Sequence, residues 1–165
     1  MKQWTTIDKS DWGDGPWQVE PDKVVWVDEA TDLDCMIHRG SSGALCGYVG
    51  VPNGHPWYGQ HYDNLNTLGG GLDVHGGLTF SEKCDPTATE EHGICHVPEP
   101  GRPRDVWWHG FDCAHAMDVS PALDARLGRT FLEGPPLWRS TYKNYEYVKK
   151  EVELLAHQAA EAAGT

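Results

Sequence analysis

Apolar residues in this chain come in short bursts separated by Gly, Pro, Asn and Asp, the punctuation of strands and turns. VVWVD (24–28), CMIHR (35–39) and ALCGYVGV (44–51) are three such bursts, joined by EATD (29–32) and GSSG (40–43). Their spacing predicts an antiparallel meander. PNGHPWYG (52–59) is turn chemistry, YDNLNTL (62–68) has the makings of one or two helical turns, and LTF (78–80) reads as a strand. VWWHGF (106–111) predicts a buried strand, with Trp107 and Trp108 on opposite faces. Residues 1–22 show no period and are expected to form an irregular arm pinned by Trp4, Trp12 and Trp17. Residues 82–105 read as a long loop, a length that in compact domains goes with function or disorder.

The helical period appears late. In DVSPALDARLG (118–128), Ser120 is placed to cap and Pro121 to open a helix. GPP (134–136) breaks the chain again. From Ser140 or Thr141 to about Ala163, Tyr145, Val148, Val152, Leu155 and Ala159 recur on one face of an amphipathic helix. The pattern therefore predicts an α+β fold: one domain over 1–165, mainly antiparallel sheet, with irregular Gly/Pro-rich loops. A long C-terminal amphipathic helix (141–163) packs on the sheet.

Composition narrows the function classes. Against 25 Asp and Glu stand 13 Lys and Arg, a net charge of −12, too few cations for general nucleic-acid binding. A small phosphorylated ligand held locally is still compatible with that balance, and so is an acidic surface mimicking nucleic acid. No apolar run approaches the roughly 20 residues that span a bilayer, and the N-terminus lacks a leader's apolar core, so a cytoplasmic protein without membrane contact is expected. The five cysteines include no C-x-x-C. Their odd number predicts free thiols, buried as small hydrophobes in a reducing compartment.

The chemistry concentrates between Cys46 and Asp118, where most of the nine histidines fall. Asp112, His115 and Asp118 are spaced D-x2-H-x2-D, which on a helix puts them within about 120° of one face. Either Asp would orient His115 as a base or metal ligand; the competing reading is a helix cap with a wet His115. His75, backed by Gly76 and Gly77 and near Thr79 and Glu82, is the second centre, against a satisfied core histidine at a tight turn. Catalytic roles are thus assigned to His75, His115, Asp112 and Asp118. Ligand contacts are assigned to Gly76, Gly77, Thr79, His55, Tyr58 and Trp107, the rings stacking on a base unless they serve the core.

A metal such as zinc could draw on His75, Cys84, His92, Cys95, His96 and the Asp112/His115 pair. Only Cys95 and His96 are adjacent, however, whereas zinc sites favour close pairs. Gly69–Gly71 is not followed by Lys-Ser/Thr, so no phosphate loop is formed.

The strings CGYVGVPNGHPWYG (46–59), VHGGLTF (74–80), ICHVPEPG (94–101), VWWHGFDCAHAMD (106–118) and YKNYEYVKKEVELLAHQ (142–158) resemble a family of small accessory proteins of tailed bacteriophages, over about residues 12–158. His109 departs from that pattern, which has an aromatic there, and is left out of the site. The resemblance implies residence in the host cytoplasm and evasion of host defence. It also suggests a nucleotide-like ligand, which the protein would sequester as a signalling molecule of that defence. The second expectation is a His/Asp-dependent, metal-assisted hydrolase or phosphodiesterase acting on such a nucleotide. The third is an acidic interaction protein.

Overall fold

A computed structural model describes residues 1–67, 71–85, 87–129 and 140–164. Leu68, most of the triple glycine and the GPP break lie outside the described residues. One antiparallel sheet holds six strands: β1 (Lys2–Trp4), β2 (Lys23–Val27), β3 (Asp34–Arg39), β4 (Leu45–Pro52), β5 (Phe80–Lys83) and β6 (Val106–Asp112). Their order is β1-β2-β3-β4-β6-β5. Among the described residues three α-helices accompany them: α1 (Tyr62–Thr67), α2 (Pro121–Arg126) and α3 (Tyr145–Ala162). The α+β architecture with its C-terminal helix is as the pattern predicts. None of the described helices is long and apolar enough to cross a membrane.

Alternation along the strands divides the core in two. Val24, Trp26, Cys35, Ile37, Val49, Val51 and Phe111 face α3, which buries Val148, Val152, Leu155, Ala156 and Ala159 against them. Gly47 makes that contact close, since a Cβ there would enter the Phe111 ring and the Val152 side chain. The opposite face carries Val25, Met36, Tyr48, Val106 and Trp108. Trp107 and Trp108 therefore do point to opposite faces, with Trp107 on the α3 side.

The long segment after β5 covers the second face. His96 sets its ring edge-on to Trp108 at 5.2 Å, and Ile94 packs nearby. Lys23, fully buried, donates its Nζ hydrogens to the carbonyls of Glu90, Gly93 and Cys95. Cys84 and Cys95 are joined as a disulfide that fastens this segment to the end of β5, which corrects the expectation of five free thiols. Cys35, Cys46 and Cys113 are free.

The N-terminal arm is more ordered than its lack of period suggests. Residues 2–4 pair with β2 as an edge strand, and two short 3-10 turns follow at Ser10–Trp12 and Pro16–Gln18. A buried ionic knot ties the arm down. Asp22 accepts Lys9 Nζ at 2.7 Å and Arg39 Nε at 2.9 Å, as well as the backbone N–H groups of Thr6 and Ile7. Glu20 accepts Arg39 at 3.2 Å and the Tyr142 hydroxyl at 2.5 Å, and its other oxygen accepts the Tyr145 N–H. Glu20 thus anchors the start of α3.

Both later helices begin differently from expectation. Ser120 precedes Pro121 but its side chain caps nothing; its N–H is instead taken by Asp124. α3 opens at Tyr145, where Asn144 caps the Tyr147 N–H. Thr141 cannot start the helix because its backbone is engaged with Met117 and Val119.

Candidate functional site

β6 delivers Asp112 to one end of the sheet, and the chain then turns rather than entering a helix. Asp112 Oδ1 accepts the Ala114 N–H at 2.9 Å, and the Asp118 N–H returns to the His115 carbonyl at 3.0 Å. Met117 adopts a left-handed φ of 79° within that turn. The expected helical face for Asp112, His115 and Asp118 is therefore corrected: a turn gathers them, because the Met117 carbonyl and the Val119 N–H are tied to Thr141 by the Asp118–Thr141 bridge. In the turn the Asp118 carboxylate folds back to accept the His115 N–H at 3.1 Å.

A second turn brings His75 to the same place. Val74 is buried, and the Gly77 N–H bonds back to its carbonyl. Gly76 (φ 67°) and Gly77 (φ 82°) supply left-handed backbone that a side chain would strain. A Cβ on Gly76 would also lie inside the His115 ring, so the glycine is what lets the two imidazoles meet. The turn is fastened on both sides. Glu151 of α3 accepts the His75 N–H at 2.8 Å, and Asn66 of α1 bonds both backbone groups of Leu78.

The resulting cluster is short-ranged. His75 Nε2 lies 2.8 Å from Asp118 Oδ2, and its Nδ1 lies 3.0 Å from the Tyr147 hydroxyl. Since the carboxylate only accepts, Nε2 carries the proton and Nδ1 accepts from Tyr147. Burial, helped by the charges of Glu151, Cys113 and Asp118, pushes the Tyr147 phenol up and keeps it a donor. His115 stands edge-on to His75 with ring centroids 5.4 Å apart. Its Nδ1 is 3.5 Å from Asp118 and 3.8 Å from Asp112, buried and without a hydrogen bond. One ligand atom each from His75, His115 and Asp118 falls within 4.8 Å of the others. Asp112 in turn accepts the Thr79 hydroxyl at 2.9 Å, and Lys143 Nζ reaches to 3.8 Å from Asp118.

The remaining expected site residues lie elsewhere. His55 bonds the Ala159 carbonyl and the Trp57 N–H. Ala159 is eight residues beyond Glu151, or about 12 Å along α3. Tyr58 packs on Trp107 at 5.8 Å and bonds Asp105. Trp107 is five residues from Asp112, about 17 Å along β6. Gly77 contributes to the turn but its open side faces Asn66.

Of the wider metal set, Cys84 and Cys95 are joined to each other, His92 is exposed beside Glu91, and His96 lies buried near Asp34 under the second face. Glu82 pairs with Trp108 in the sheet and is exposed. Cys113 is adjacent to the cluster, but burial and the nearby carboxylates raise its thiol far above the working range, so it is no nucleophile.

Tyr147, Glu151 and Lys143 were not anticipated. The available signal was the i, i+4 spacing of Tyr147 and Glu151, flanking the apolar stripe of α3. Compared with known protein families, curated proteins and solved structures, the chain matches none of them.

Proposed function

We propose that this chain is a His/Asp-dependent hydrolase whose reacting centre is His75, His115 and Asp118, acting on a small nucleotide-like phosphoester. The observation that carries the reading is the convergence of two imidazoles on one buried carboxylate, with His75 held at 2.8 Å from Asp118 and 3.0 Å from Tyr147. Such a group activates water, by taking its proton or by holding a cation that acidifies it. Tyr147 holds the His75 ring from its other nitrogen, at 3.0 Å.

Capture of an intact nucleotide is supported less well. Of the rings that would stack on its base, Trp107 is about 17 Å along β6 from Asp112, and Tyr58 packs on Trp107. The nucleotide character of the substrate, and a role in phage evasion of host defence, rest on the resemblance of the sequence motifs.

The test is turnover of a panel of cyclic, linear and ADP-ribose-type nucleotides, followed by chromatography. Hydrolysis should fall by about 100-fold or more in His75→Ala and His115→Ala and persist in Trp107→Phe. Stoichiometric binding with intact nucleotide recovered after heat denaturation would overturn hydrolysis in favour of capture.

A further inference from the structure

We infer that His75, His115 and Asp118 form a binding site for one divalent transition-metal ion, zinc foremost. This rests on the reading of the same cluster as the reacting centre, and chooses the cation-bound form of that centre.

Three observations converge on it. The first is spacing. Zinc bonds of about 2.0–2.1 Å in tetrahedral geometry set ligand atoms roughly 3.3 Å apart. His75 Nε2 and His115 Nδ1 lie 2.8 and 3.5 Å from Asp118 Oδ2, and one ligand atom from each of the three residues falls within 4.8 Å of the others. Three protein ligands leave a fourth position open, as catalytic rather than structural zinc sites do.

The second is the unmet valence of His115. Its Nδ1 is buried and bonds nothing, although a buried ring nitrogen without a partner costs free energy. A metal ion is a partner that such a nitrogen accepts in its neutral form. The third is an outer shell already in place. Tyr147 lies on the far nitrogen of His75, the one that an ion at Nε2 leaves free. Groups of this kind fix ring orientation in metal sites.

The proton balance closes without a further group. In the metal-free state Nε2–H of His75 donates to Asp118 and Tyr147 O–H donates to Nδ1. With the ion bound at Nε2, the ring stays neutral, its proton passing through solvent to Nδ1, which then donates to the Tyr147 oxygen. The local field also calls for a cation. Asp112, Asp118 and Glu151 bring three carboxylates to the cluster, against which stands Lys143. A phosphoester is repelled by that arrangement unless a divalent charge reverses it.

The experiment is titration of zinc into chelator-treated, dialysed protein by calorimetry, with cobalt(II) as a spectroscopic substitute. The expected result is one zinc per chain and cobalt visible bands of low-coordinate nitrogen and oxygen ligation. His115→Ala and Asp118→Asn should each weaken binding by about 100-fold, and Tyr147→Phe by about 10-fold, with circular dichroism unchanged. His92→Ala, at an exposed histidine elsewhere, should bind as the parent protein does. Absence of saturable zinc binding, or undiminished binding in a His75→Ala/His115→Ala double variant, overturns the site. Nucleotide turnover that persists in the metal-free protein also overturns the metal inference while sparing the hydrolase. Stoichiometric zinc on these residues without any turnover does the reverse.

Discussion

Gly76 holds a left-handed φ of 67° directly under the His115 ring, whereas Gly77 holds one of 82° with Asn66 at an ordinary 3.5 Å. The two glycines therefore separate backbone strain from close approach. Alanine at either position should cost about 1–2 kcal/mol of stability through the left-handed backbone. Only Gly76→Ala should also displace His115 and lower nucleotide turnover and zinc affinity as His115→Ala does. Denaturant unfolding and the two functional assays, run side by side on the pair, check this. Equal functional loss in both variants would mean that the turn as a whole, not the contact with His115, is what matters. The same residue-level logic explains why D-x2-H-x2-D was readable as a candidate although its assumed helix was not there. Short spacing brings three side chains together in a turn as well as on a helix.

Among the elements, α3 does two jobs from two faces. Its apolar stripe, fully buried at Val148, Val152, Leu155, Ala156 and Ala159, covers the sheet. The flank of the same helix supplies Tyr147 and Glu151 to His75. Leu155 is one turn beyond Glu151 and sits in the apolar stripe, wholly buried. Leu155→Ala should destabilise the protein by about 3 kcal/mol through lost burial and the cavity left behind. Below its lowered melting temperature, zinc stoichiometry should stay at one per chain. Calorimetric unfolding and metal analysis of that variant distinguish the packing role of the helix from its role at the site. The element that periodicity described least well is the 82–105 segment. Its contribution is made by backbone carbonyls on Lys23 and by scattered side chains, neither of which leaves a period.

At the scale of the whole molecule, the sheet buries imidazoles that the unfolded chain exposes. Burial pushes His109, wholly inside and within 2.9 Å of the Trp57 carbonyl, down to about 4. His38 and His55 are lowered by burial as well. Below pH 6.5 the unfolded chain takes up protons on these rings before the folded chain does. Stability is therefore full above about pH 6.5 and falls as the pH drops, the His109 contribution being lost by about pH 4. From His109 alone the loss approaches about 3 kcal/mol. Denaturant unfolding between pH 7.5 and 4 should show this decline, and His109→Gln, which keeps a donor for Trp57, should flatten it. A parent protein equally stable at both ends of that range would show that these rings do not control its acid response.

Strands 2, 3, 4 and 6 and the C-terminal helix were legible because each buries one face, and burial of one face writes a period into contiguous residues. His75, His115, Asp112 and Asp118 were legible as candidates because glycine and carboxylate neighbours surround them. Which of the candidates meet is decided by sheet order and turn direction. Those bring His75 to Asp118 across 43 residues while holding Trp107, with Tyr58 packed on it, down the strand. The edge pairing of residues 2–4 and the donation of Tyr147 and Glu151 by α3 belong to the same class. Each is a contact between distant segments whose partners share no local pattern, so only the tertiary structure decides it.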